Sequence, residues 1–108
     1  MIYLSPWIFK TDPLYTIFEK KLSLPTLNSV VCGRFDIKSG HCAVQIHKLT
    51  YGKYFLSMIY AIHYNKVLSN NTYECLEDAV ERCDYVLNRC NNTICLSEKQ
   101  LEKITPLL

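Results

Sequence analysis

Glycine is scarce in this chain, with three residues in 108. That excludes a glycine-rich loop around a phosphate, which needs several glycines to let backbone N–H groups converge. Long apolar runs are missing too. The best of them, Tyr54 to Ile62, covers nine residues, against the roughly 20 that a membrane-spanning helix requires. No Cys-x-x-Cys, His-x-x-x-His or Gly-x-Ser-x-Gly occurs, which removes the common zinc spacing and the nucleophile elbow of hydrolases. Met1 to Lys10 carries no early positive charge and no small-residue cleavage site. A secretory leader is therefore not expected, and the protein reads as cytoplasmic, in the host cytoplasm if its gene is viral. A net charge of +2 makes the whole molecule neither a polyanion binder nor an acidic mimic of DNA.

What is present is a globular composition. Hydrophobic residues make up 49% and charged residues 20%, and the length suits a single domain over 1–108 with a core of its own. Six cysteines would suggest a disulfide framework in a secreted protein; without a leader they read as reduced thiols. A Cys90–Cys95 link stays open. No cofactor and no metal is expected. The abundance of Tyr, Asn, Ile and Lys, all with A/T-rich codons, fits a phage or viral gene, as it fits many bacterial genes.

Periodicity sorts the chain into elements. Residues 2–9 read as a short edge strand interrupted by Pro6. Asp12-Pro13 opens a helix, since Asp caps well and Pro suits the first helical position, and Leu14, Ile17, Phe18 and Leu22 share a face. Ser29 to Ile37 and Cys42 to Leu49 read as strands joined by a turn at Lys38 to His41. Thr50-Tyr-Gly-Lys53 is a second turn. In the third strand, 53–64, Tyr54, Leu56, Met58, Tyr60, Ile62 and Tyr64 alternate with Lys53, Phe55, Ser57, Ile59, Ala61 and His63. A period of two puts the bulky set toward helices and leaves the leaner set more open. Lys66 to Tyr73 continues the sheet.

Residues 74–90 form the firmest helix, with Leu76, Ala79, Val80, Cys83, Val86, Leu87 and Cys90 along one stripe. Ser97 and Gln100 form a capping box for a last short helix. The fold class that follows is α+β: an antiparallel sheet of three to five strands, packed on one face by the 74–90 helix, with short terminal helices. Tyr54, Leu56, Met58, Tyr60, Ile62, Leu76, Val80, Cys83 and Leu87 are the expected core.

Charge is unevenly spread. Residues 29–73 hold Arg34, Lys38, Lys48, Lys53 and Lys66 against Asp36, a balance of +4, while residues 74–90 carry −3. A basic sheet beneath an acidic helix is the polarity that a phosphate backbone would meet. On that sheet Gln45, His47, Lys48, Lys53 and Lys66 are the candidate DNA-contacting residues. The stretch Tyr64-Asn-Lys-Val-Leu-Ser-Asn-Asn-Thr-Tyr-Glu-Cys-Leu-Glu-Asp-Ala79 resembles the last strand and helix start of AP2-like and phage integrase arm-type domains, and the resemblance extends over 42–90. It implies a three-stranded sheet laid in the DNA major groove. Asn71 stands where that family has Gly, and the family's Trp before the hairpin turn is absent.

His47 and His63 share the leaner face with Gln45 and Ser57, but Asp36 is the only acid in the sheet region, so a catalytic triad is not expected and the chain reads as no enzyme. The leading expectation is a small protein-binding module. Size and composition fit a phage or viral accessory protein that inhibits or redirects host machinery, an anti-defence, anti-CRISPR-like factor. Its partner would be a host protein, with DNA as the alternative and no membrane, and it would be a monomer or homodimer. Tyr51, Tyr73 and Tyr85 are the candidate anchors, because aromatic side chains concentrate binding energy.

Overall fold

The structure is a computed structural model describing residues 6–24, 27–35, 43–60, 65–90 and 98–108. The expected turn at 38–41, the 61–64 end of the third strand, Cys42, Cys95 and the Ser97 capping box lie outside these residues. The element order is β1 (Ile8–Phe9), α1 (Pro13–Lys21), β2 (Val30–Phe35), β3 (Ala43–Lys48), β4 (Tyr54–Tyr60), β5 (Asn65–Leu68), α2 (Leu76–Arg89) and α3 (Glu98–Ile104), ending in a 3₁₀ turn, Thr105–Leu107. The strands form one antiparallel sheet in chain order, β1-β2-β3-β4-β5. Short joints between neighbours make this the simplest solution for the chain. The fold is α+β.

One face of the sheet is apolar and belongs to α2. Cys32, Val44, Ile46, Leu56 and Met58 point into a core with Ala79, Cys83, Val86, Leu87 and Leu108. Tyr54, Leu76 and Val80 border it. The stripe read from the sequence is thus the side of α2 that faces the sheet, and Tyr54, Leu56 and Met58 of the even set in β4 meet it.

The other face is not open, contrary to the sequence reading. α1 covers it, packing Tyr15, Phe18 and Leu22 against Ile8, Val30, Phe35 and Ala43. Tyr15 and Phe35 meet edge to face at 5.1 Å, and Gln45, His47 and Ser57 are fully buried beyond them. A register shift between Val30 and Cys32 accounts for the imperfect alternation of β2. The bulge turns Val30 to the side of Phe35 while Cys32 and Arg34 stay on the α2 side.

Local chemistry sets the ends of α1. Asp12 Oδ1 accepts from the Leu14 N–H at 2.9 Å, with Pro13 at the first turn. At the other end the Ser23 N–H donates to Lys20 O and the Leu24 N–H to Glu19 O, a Schellman arrangement that places Ser23 at φ 53°. Glycine fills this left-handed position without strain. Ser23→Gly is therefore expected to stabilise the protein by about 0.5–1 kcal/mol, read as a higher urea midpoint.

Candidate functional site

A shallow, open cleft of about 630 Å³ lies between the edge strand and α2, lined by Phe9, Leu76, Glu77, Val80, Glu81, Asp84, Tyr85 and Asn88. Its position follows from the packing. Among the described residues β1 pairs with β2 alone, and the Ile8↔Gly33 and Phe9↔Cys32 register sends Ile8 toward α1 and Phe9 toward α2. Phe9 therefore faces the flank of α2 but does not reach the core, and it stays 52% exposed. On α2, residues 77, 81, 84 and 88 recur at helical spacing and set a polar rim above Leu76 and Val80.

Three side chains hold this region together. Trp7 Nε1 donates to Asp84 Oδ1 at 2.9 Å, Arg34 reaches the same oxygen at 3.2 Å, and the guanidinium lies 5.8 Å from the Trp7 ring centre. Arg34 is 14% exposed and Asp84 41%, so this is a partly screened charge pair tying the edge of the sheet to the helix. Tyr85 is 46% exposed and held between two arginines, Arg82 at 5.1 Å and Arg89 at 5.6 Å from its ring. Arg89 also donates to Tyr85 Oη at 2.8 Å. A ring fixed this way loses little freedom when a partner covers it.

The expected anchors separate. Tyr85 lines the cleft, and Tyr73 joins it in an adjoining hollow of about 380 Å³ with Asp78, Glu81 and Arg82. Tyr73 is half-buried and its backbone pairs with Tyr54 in both directions at 2.8 Å. Burial pushes its phenol pKa up, against the pull of Arg82. Tyr51 stands apart at the tip of the β3–β4 turn, 80% exposed, beside Gly52 at φ 90°, and lines neither hollow.

The residues assigned to DNA do not make one surface. Gln45 and His47 are buried, which corrects their assignment to an open sheet face: α1 occupies that side. Gln45 Nε2 donates to Tyr15 Oη at 2.8 Å. The His47 ring is stacked on Phe55 at 4.7 Å, with Ser29 Oγ 2.9 Å from Nδ1 and Ser57 Oγ 2.7 Å from Nε2. Lys53 pairs with Glu74 at 3.3 Å, Lys48 lies 6.0 Å from the Tyr54 ring, and Lys66 is on β5, opposite Ile59. The uneven charge seen in the sequence is partly spent inside the molecule, where Arg34 and Lys53 of the sheet region meet acids at α2 and its approach.

The serine–histidine contact has the distance of an activated nucleophile, but Ser57 is fully buried, out of a substrate's reach. Among the described residues no three His, Cys, Asp or Glu side chains converge as metal ligands. Of the described cysteines, Cys32, Cys75 and Cys83 are free thiols; Cys95 lies outside the described residues. Burial pushes Cys32 up to about 12 and also raises Cys83 and Cys90, the last against the nearby Arg89. Thiols held protonated are poor nucleophiles. An iodoacetamide pulse at about pH 8, read peptide by peptide, should spare Cys32 and Cys83 in the native protein and label both in urea.

The same burial links stability to alkali. A raised folded-state pKa means the native state keeps its proton longer than the unfolded chain. The Cys32 contribution is complete below the ordinary thiol value of 9.0 and is lost as pH rises toward about 12. Stability should fall by about 1.4 kcal/mol per pH unit for each such thiol in that window.

The features missed from sequence are Phe9 and the Trp7–Asp84–Arg34 hub. Trp7 and Asp84 are 77 positions apart, and the only local signal was a short apolar run after Pro6. The chain matches no family model, no curated protein and no solved structure. No helix among the described residues is long and apolar enough to cross a membrane.

Proposed function

We propose that this chain is a non-enzymatic protein-binding module whose cleft between β1 and α2 takes an apolar, basic segment of a partner protein. The observation that carries this is the pairing of a half-exposed Phe9 and an exposed Tyr85 across an apolar floor with the exposed carboxylates Glu77 and Glu81 at its rim. Apolar floor and aromatic walls supply affinity, and the acidic rim selects the sign of the partner's charge. The A/T-rich residue usage supports extending the reading to a phage or viral accessory protein acting on host machinery.

The test uses the one tryptophan of the chain. Trp7 binds Asp84, which lines the cleft, so its fluorescence reports occupancy. A helical peptide of leucine and lysine is the probe. It should bind, and Glu81→Lys should weaken it about tenfold or more. A leucine–glutamate peptide of the same pattern should not bind. Equal binding of both peptides would overturn the reading. So would retention of duplex DNA that is lost between about 50 and 200 mM salt, the signature of phosphate contacts.

A further inference from the structure

A second surface of the molecule has the chemistry that the cleft selects. α1 buries Tyr15 and Leu22 and half-buries Phe18, yet leaves Leu14 49% and Ile17 56% exposed. Leu14, Ile17 and Lys21 recur at three- and four-residue spacing, so they form one stripe along the flank of the helix. Lys20 lies beside it. Lys20 and Lys21 are both exposed, and both occupy the last turn. Two large apolar side chains thus lie exposed together on one helix flank, next to a pair of cations. They match an apolar cleft with the exposed carboxylates Glu77 and Glu81 at its rim.

We infer that the cleft of one copy takes the Leu14–Ile17–Lys21 flank of α1 from a second copy. This rests on the cleft being a docking site. α1 and α2 lie on opposite faces of the sheet, so the donating and the receiving surfaces are different patches. The contact is head-to-tail: in a pair, one copy keeps its donor flank free and the other keeps its cleft free, so longer chains can form. A nine-residue helix is only about 13 Å long. The contact is therefore small, and its dissociation constant falls in the range of about 10–1000 µM. At low concentration the cleft is free for a partner. At high concentration copies of the chain compete for it.

Sedimentation of the full chain over about 5–500 µM tests this. The mass should rise with concentration, and about 0.5 M salt should weaken the association. Ile17→Glu spoils the donor and Glu81→Lys spoils the acceptor. Both positions are exposed, and circular dichroism confirms that each variant is folded. Each variant alone should stay monomeric. Mixed together, they should form a one-to-one heterodimer and nothing larger, because one intact donor meets one intact acceptor. A wild type that stays monomeric, or a mixture that stays monomeric beside an associating wild type, overturns the inference. If the leucine–lysine peptide still binds in that case, the cleft stands as a docking site and only its occupation by a second copy fails.

Discussion

Phe35→Ala is expected to cost about 3–5 kcal/mol, enough to unfold a large share of a marginally stable domain at body temperature. Phe35 is fully buried. Its ring meets Tyr15 at 5.1 Å and Phe18 at 5.5 Å, so it is the seat on which α1 rests. Truncation opens a cavity between helix and sheet, and neither neighbour can collapse into it. Gly33 fixes how close they sit. A Cβ there would lie 3.1 Å from the Val44 carbonyl and 3.3 Å from the Tyr15 ring. Urea denaturation measures the loss. If Phe35→Ala shifted the midpoint no more than a surface substitution does, α1 would not be docked on this face.

His47→Ala should cost about 2–4 kcal/mol, although His47 reads from sequence as a surface residue. Its imidazole is 1% exposed, stacks on Phe55 and engages Ser29 and Ser57 through its two nitrogens. Removing the ring leaves a void and takes away the partner of a buried Ser57 hydroxyl. Ser57 lies opposite Gln45 in the β3–β4 register, so the polar strip on this face runs from Tyr15 through Gln45 and Ser57 to His47. Gln45 Oε1 is buried without a hydrogen-bond partner among the described residues, so the strip is only partly satisfied and losing a further pair is costly. Thermal and urea unfolding of His47→Ala separates the two roles: a DNA-contacting His47 would lose affinity at unchanged stability, whereas the buried ring predicts lost stability.

Local order was largely legible along the chain. The α2 stripe, the Asp12-Pro13 start of α1, the Gly52 turn and the alternation in β4 are each set by neighbours within a few residues. Their physics is the helix period, the cap and the side-chain period of two. The candidate site was not legible to the same degree. Tyr85 reads as a candidate anchor from its residue type, and it lines the cleft. Phe9 lines it too but has no sequence signal, because a two-residue strand has no period to read. Tyr51 and Tyr73 are chemically alike, yet one stands on a turn tip and the other is half-buried in the sheet's margin.

The amino-acid order alone determined the α+β class, the antiparallel pairing and which side of α2 is buried, since each depends on spacing that a single segment carries. Only the tertiary structure decided that α1 packs on the second face, that Gln45 and His47 are buried there, and that Trp7, Arg34 and Asp84 meet. Those outcomes depend on which apolar stripe lands on which side of the sheet, and on a bulge between Val30 and Cys32 that moves Val30 from one face to the other. Contacts between residues many tens of positions apart leave no periodic trace in either segment.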